Sequence, residues 1–400
     1  MRTDRITPLT TGTDGFFADP YPVYRALRAQ GPVQRVLMPG GEAVRMVLGH
    51  DAVRTALADP RLRNDIRHSA EFDSDGGHAI GRNMLQADPP DHTRLRTLVS
   101  RQFTARRIEG LRPRIARVAA GLLDAMEPAG RADLVDAYAY PLPITVICEL
   151  LGVPAPDRDA FRAWSRDIVA FHDQEAAAAA AVAMSGYLTG LIEEKRRAEP
   201  GEDADLLHAL VRAHDEDGDR LTPDELLGMA FLLLVAGHET TANLLSGAVH
   251  LLLRHPDQLA ALRARAALME GLIEETLRYE PTSQIAAYRY TSEPLTLAGT
   301  PLPRGERVVL CLAAANRDPE RFEDPDRFDI HRDPAANRAH LAFSHGIHHC
   351  LGAPLARLEA SVALPALLER FPRLAADEEA PAPEWRPSLL RGLRTLPVRW

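Results

Sequence analysis

The chain has 400 residues, of which 46% are hydrophobic, 26% charged and 6% aromatic. These are globular values and exclude disordered, collagen-like and low-complexity classes. The net charge of −9 disfavours general nucleic-acid binding. Cys148, Cys311 and Cys350 are too few and too scattered for a disulfide framework, so a reducing, intracellular compartment is expected. Met1–Thr13 lacks the apolar stretch of a signal peptide. The longest strongly apolar run, Met229–Ala236, falls far short of the ~20 residues a membrane span needs. A soluble cytoplasmic protein that uses neither membrane nor nucleic acid is the expectation.

In chain order, Tyr21–Gly31 reads as an amphipathic helix. Gln34–Met38 and Ala43–Leu48 read as strands around the Pro39-Gly40-Gly41 turn. Arg63–Gln86 is polar and aperiodic, a long loop. Asp88-Pro89-Pro90-Asp91 predicts a helix start with Asp88 as cap, running to about Phe103. Leu111–Met126, Leu142–Leu151, Arg158–Ile168 and Ala176–Arg197 follow as helices. Thr222-Pro223-Asp224-Glu225 is a capping box, and the helix it opens continues to Arg254, where His255-Pro256 stops it. That is roughly 48 Å of helix, apolar all round over Met229–Ala236 and therefore buried. Met269–Tyr279 is a further helix, and Leu295–Leu312 reads as strand, turn and strand. Asn316–Pro334 is a loop rich in Asp-Pro turns. Pro354–Phe371 is the last long helix, and Leu389–Val398 a terminal strand pair. With no repeat and no linker, residues 1–400 read as a single, mainly α domain with a small β part.

Phe343-Ser344-His345-Gly346-Ile347-His348-His349-Cys350-Leu351-Gly352 places a lone Cys just ahead of a helix, where a thiolate is favoured. A thiolate is a metal ligand or a nucleophile. Zinc would need further Cys or His ligands at short spacing, and only one Cys is local. Ala236-Gly237-His238-Glu239-Thr240-Thr241 puts an acid and hydroxyls in the middle of the buried helix, which is costly unless they are used. A zincin reading fails, because Ala242 stands where a second His is required.

Phe-x-x-Gly-x-His-x-Cys-x-Gly resembles the haem-binding loop of the cytochrome P450 family. Five fixed residues would match by chance in about one chain in ten thousand. The resemblance extends from about Asp19 to the C-terminus and implies that fold, with a long buried central helix and a small β part. It implies Cys350 as the iron ligand of a haem b (iron protoporphyrin IX), within a loop that includes Phe343, His348 and Gly352. Ala236 and Gly237 match the family's oxygen-binding helix, with Gly237 leaving room for a ligand to approach the backbone. Thr240 matches its alcohol and Glu239 its proton-relaying acid. Glu275 and Arg278, with Arg327 of the following loop, match a structural triad that braces the cysteine loop. His92, Arg96, Arg289 and His348 match partners of the two haem propionates, for which Arg offers bidentate geometry. Ser344 stands where the family usually has Gly, so backbone strain is expected there. Ala287 removes a polar group near a propionate.

The implied enzyme is a monooxygenase that activates dioxygen and hydroxylates or epoxidises a small, largely apolar organic molecule. Macrolide, polyketide or terpenoid scaffolds of secondary metabolism are the expected substrates. No Gly-x-Gly-x-x-Gly is present and no length is left for a flavin or nicotinamide domain, so a separate ferredoxin and ferredoxin reductase are the expected electron donors. Arg96, Arg101, Arg106, Arg107 and Arg357 are candidates for docking an acidic ferredoxin. Leu85, Leu232, Val235, Ala236, Ile285 and Leu390 are the candidate substrate pocket, with Arg63–Leu85 and Ala176–Gly190 as a lid. Glu71, Asp73 and Asp75 could receive a basic group, but a solvated acidic loop is the better reading of them. The rival readings are a peroxide-driven or non-oxygenating haem-thiolate enzyme, and a non-enzymatic haem-binding protein.

Overall fold

Thr222 caps the long helix as the sequence predicts. Its hydroxyl accepts from the Glu225 N–H at 3.2 Å, and the Glu225 carboxylate accepts from the Thr222 N–H at 2.8 Å. Pro223 occupies the first turn, where its missing N–H costs nothing. The helix runs Pro223–Arg254, and every residue from Thr241 to Val249 is buried. These coordinates come from a computed structural model that describes residues 6–9, 15–72, 81–170, 173–198, 205–212, 221–388 and 390–400.

The backbone forms two compact units. One comprises Met1–Gly77, Glu270–Cys350 and Trp385–Pro387; the other comprises His78–Met269, Leu351–Glu384 and Ser388–Trp400. The second unit is mainly helical and is built around Pro223–Arg254. That helix packs on Pro141–Leu151, Gln174–Arg197 and Ala353–Arg370. Leu98, Ile144, Ile147, Phe161, Met184 and Leu234 belong to its core. By length and composition the Gln174–Arg197 helix could cross a membrane, which the reading of apolar runs did not anticipate. It buries Ala180, Met184, Leu188, Leu191 and Ile192, and its last turn carries Lys195, Arg196 and Arg197.

The first unit holds a six-stranded sheet in the order Thr7–Pro8, Val33–Leu37, Ala43–Val47, Arg307–Leu310, Arg289–Thr291, Leu62–Arg63. Its side chains alternate between two cores, as the period of a strand requires. Val36, Val44, Met46 and Val309 join the core that includes Tyr24 and Leu27 of the Tyr21–Gln30 helix. Val33, Val47, Val308 and Leu310 join Val53, Ala56 and Leu57 of the His50–Ala58 helix.

Several sequence expectations need correction. The helix expected from Asp88 begins at Asp91, with Pro90 rather than Asp88 before it, and ends at Ser100. Pro89 precedes another proline and is thereby kept out of the helical region. Leu295–Leu312 contains three strands, because Leu295–Leu297 and Thr300–Leu302 form a hairpin of their own. Its turn has Ala298 at φ +45° and Gly299 at φ +80°, and an alanine there hides the turn signal. Among the described residues of 389–398 the one strand begins at Pro397. Pro397–Arg399 lies between Arg131–Asp133 and Ala375–Ala376, so distant segments occupy both edges and exclude a local pair.

Replacing Thr222 by Ala removes the hydroxyl half of the capping box and keeps the backbone half. The expected cost is about 1 kcal/mol, read as a lower urea midpoint with an unchanged slope.

Candidate active site

In the first unit the site grows from Met269–Tyr279. Glu275 and Arg278 lie one turn apart and are wholly buried. Arg278 Nε and Nη2 donate to the two Glu275 carboxylate oxygens, each at 2.8 Å. Arg278 also donates to the carbonyls of Asn316, Pro325 and Arg327 at 2.8–3.1 Å. Glu275 accepts further from the Asp329 N–H, Arg332 Nε and Asn337 Nδ2 at 2.9–3.3 Å. The guanidinium that joins the pair is thus that of Arg332. Arg327, the expected third member, contributes its backbone carbonyl instead. Its side chain is 64% exposed and pairs with Asp329 at 3.4 Å.

The same helix pins the start of the cysteine loop. Glu274 and His340 are both buried, with Oε2 and Nε2 3.1 Å apart. His340 Nδ1 accepts from the Ala342 N–H at 3.3 Å, and Asn316 Oδ1 accepts from the Leu341 N–H at 2.7 Å. Within the loop, the Ser344 N–H donates to the Leu341 carbonyl at 2.8 Å and the Cys350 N–H to the Phe343 carbonyl at 2.9 Å. Ser344 has φ +63°, the strained conformation expected of a residue in a glycine's place. Gly346 has φ +74°, and a Cβ there would lie 2.8 Å from the Leu57 carbonyl oxygen. Cys350 is exposed, whereas burial pushes the thiols of Cys148 and Cys311 up to about 12. Cys350 is therefore the cysteine suited to thiolate chemistry. His348 closes the short turn Gly346–His348 and is half-buried, as is Phe343. Arg289 lies on a sheet strand, is 2% exposed, and donates to the Ala287 carbonyl at 2.8 Å. Ile285 bridges to Cys311 beside the same sheet.

In the second unit, Leu232, Val235, Ala236 and Thr240 form an accessible stripe on a mostly buried helix. Thr240 Oγ1 donates to the Ala236 carbonyl at 2.8 Å. Thr241, the next residue round, is buried. Glu239 points inward and is fully buried, with the Tyr140 hydroxyl 2.6 Å from Oε1. The space that a side chain at Gly237 would take is filled by protein: a Cβ there would lie 2.9 Å from Ile147 Cγ1. Its missing side chain serves the close crossing with the Pro141–Leu151 helix. His92 is buried and Arg96 half-buried on one face of Asp91–Ser100. The Met84 N–H meets Met229 Sδ at 3.3 Å, which holds the segment before Leu85 against the long helix. Leu85 is 38% exposed, while Gly352 and Leu390 are half-buried. Glu71, in the first unit, pairs with Arg307 at 3.0 Å; Asp73 and Asp75 lie outside the described residues.

Sequence reasoning did not find Arg332, His340 or Tyr140. Each is linked to its partner across a long stretch of chain, with no local spacing to mark it. The donor set fits a haem: one accessible soft thiol, histidines and arginines for carboxylates, and an apolar stripe with a single hydroxyl.

The protein-family model for Cytochrome P450 matches residues 159–396. The cytochrome P450 monooxygenase PikC of Streptomyces venezuelae is 56% identical over 390 residues, covering 96% of this chain and 92% of the relative. The 6-deoxyerythronolide B hydroxylase of Saccharopolyspora erythraea is 42% identical over 401 residues, covering 97% of each. The solved structure of the tirandamycin C-bound P450 monooxygenase TamI matches with a TM-score of 0.88 at 45% identity, covering 98% of this chain and 99% of that one. The chain belongs to the cytochrome P450 family. It is a haem-thiolate monooxygenase, an oxidoreductase that draws on redox partners and acts on a small organic substrate.

Arg332→Ala should cost about 1.5–3 kcal/mol, because it strips a charged donor from a buried carboxylate. Arg327→Ala should stay within about 0.5 kcal/mol, as an exposed pair does. Guanidinium denaturation of both variants checks the order.

Proposed function

We propose that Cys350 supplies the thiolate to a haem b, and that His92, Arg96, Arg289 and His348 hold its propionates. Phe343, Gly352 and Ala236 border it, and Glu275, Arg278 and Arg332 brace the cysteine loop. The substrate is a largely apolar secondary-metabolite scaffold of the polyketide or macrolide kind, which the enzyme hydroxylates or epoxidises. It meets Leu85, Leu232, Val235, Ala236, Ile285 and Leu390. The observation that carries this reading is the accessible stripe on the long helix, apolar at Leu232, Val235 and Ala236 and ending in the Thr240 hydroxyl, with buried Glu239 beside it. Two relatives support the substrate class through their names, which specify 6-deoxyerythronolide B and tirandamycin C.

Held by Cys350, a haem would supply the dioxygen chemistry of a monooxygenase, in which one oxygen atom goes into the substrate and the other into water. The chain's own task is proton supply. A hydroxyl that donates to the Ala236 carbonyl offers its oxygen as an acceptor, so Thr240 can hold a water in line. Glu239, its neighbour, exchanges protons with the interior. The family's motifs are divided between the two units, so residues 1–400 serve as one catalytic domain.

Electrons come from a ferredoxin and its reductase. Arg101, Arg106 and Arg107 are exposed, and the Ala105–Gly110 helix that carries the last two packs on the Ala353–Arg370 helix, which bears Arg357. With Arg96 they form a cationic patch on a chain of net charge −9. Three free cysteines suit a cytoplasmic location.

Thr240→Ala tests the proton role, with a macrolactone selected by its spin-state shift of the haem band as substrate. Haem content and the shift should persist, product per electron pair should fall by on the order of tenfold, and hydrogen peroxide should take its place. Thr241→Ala should stay coupled. Product yield unchanged in Thr240→Ala would refute the role. For the docking patch, Arg106→Glu should slow electron transfer several-fold at low salt, and the difference should fade above about 0.3 M salt, where screening is short-ranged. A rate that ignores the charge reversal at low salt would exclude this patch.

A further inference from the structure

Tyr140, His238 and Glu239 are buried, at 1%, 0% and 0% exposure. The Tyr140 hydroxyl oxygen lies 2.6 Å from Glu239 Oε1 and 3.0 Å from His238 Nε2. His238 Nδ1 lies 2.7 Å from the Leu234 carbonyl oxygen. A carbonyl only accepts, so Nδ1 carries a hydrogen, and Nε2 either accepts from Tyr140 or carries a second hydrogen.

Counting protons then restricts the network. Tyr140 has one hydroxyl hydrogen and two close partners. Were Glu239 ionised and His238 neutral, both partners would be acceptors, and one short contact would set lone pair against lone pair. Two arrangements satisfy both Tyr140 hydroxyl contacts together with the bond to the Leu234 carbonyl. In one, protonated Glu239 donates to Tyr140, and Tyr140 donates to neutral His238. In the other, protonated His238 donates to Tyr140, and Tyr140 donates to ionised Glu239. Both hold the same number of protons and have no net charge, as a buried site requires. They interconvert when the Glu239 proton moves to the Tyr140 oxygen and the Tyr140 proton moves to Nε2; each O–H broken is matched by an O–H or N–H formed.

We propose that Tyr140 and His238 are positioning residues that store one proton for Glu239. This rests on the reading of Glu239 and Thr240 as the proton-supplying pair. When Glu239 gives its proton towards Thr240, the network is left one proton short, with an unsatisfied contact and a buried negative charge. Both favour the uptake of a replacement. Arg162 faces the network, its guanidinium 4.7 Å from the centre of the Tyr140 ring and paired with Asp136, and it tempers that charge.

The backbone is built to deliver Tyr140. Val135–Ala139 is a π-helical turn, and the Tyr140 N–H donates to the Val135 carbonyl at 3.0 Å. Such turns are rare and re-aim side chains. Pro141 then opens the helix whose Ile147 fits against Gly237, so the absent Cβ draws the Tyr140 helix close to Glu239.

Tyr140→Phe keeps the ring and removes the link. With ferredoxin, its reductase and the same macrolactone, haem content, the carbon monoxide spectrum and the spin-state shift should match the parent. Hydrogen peroxide per electron pair should rise several-fold. His238→Gln, which keeps hydrogen-bonding atoms but cannot hold the charge, should act in the same direction and serves if Tyr140→Phe loses haem. In a Glu239→Gln background, Tyr140→Phe should add nothing, because it acts through Glu239. An equal fold-loss in both backgrounds would mean a packing role only and would overturn the proposal. If Thr240→Ala uncouples and Tyr140→Phe does not, the store is refuted while the pair stands. If neither uncouples, the pair itself is refuted and the store with it.

Discussion

A carboxylate taken out of water must be paired, hydrogen-bonded or neutralised, and this constraint shapes both units of the protein. Glu275 meets it by pairing. Arg278 grips it through two bonds, and the Asp329 amide, Arg332 and Asn337 occupy its remaining lone pairs. Removing one partner would leave a charge stranded, so the 316–342 chain has little freedom to wander. The loop that begins at Phe343 inherits that rigidity. Arg278 holds the chain at Asn316, Pro325 and Arg327, and His340 ties Ala342 to Glu274.

The second unit meets the same constraint in other ways. Burial pushes the Glu359 carboxyl well above its ordinary range, which favours its uncharged form. Glu239 lies just as deep but has Tyr140 within 2.6 Å, and through it His238. A carboxyl that can be satisfied in either protonation state is suited to exchange protons, whereas one locked by a guanidinium is suited to hold a fold. Glu275 and Glu239 are the same residue type at the same depth, and their partners separate structure from chemistry.

The parts legible in the sequence were those governed by local rules. The Pro223–Arg254 helix could be bounded at both ends from its capping box and its His-Pro stop, and Arg158–Ile168 and Met269–Tyr279 from periodicity. The motif around Cys350 and the one around Glu239 and Thr240 were legible because their spacing is short. What was not legible depends on where the chain goes after a turn. Arg327 and Arg332 are five residues apart in one loop, and Asp324 at φ +43° precedes both. Which of the two turns inward is decided by that path, not by either residue's type. Gly237 read as room for a ligand, but a glycine in a helix serves whichever neighbour comes closest, and here that is Ile147. Tyr140 carried no signal, because its partners lie 98 and 99 residues away.

The central claim is that Cys350 supplies a thiolate to haem iron. The absorption spectrum of the reduced, carbon monoxide-bound protein reports that ligand directly. The thiolate-type Soret band should be present in the parent and in Cys148→Ala and Cys311→Ala, and absent in Cys350→Ala. A thiolate-type band that survived in Cys350→Ala would contradict the account.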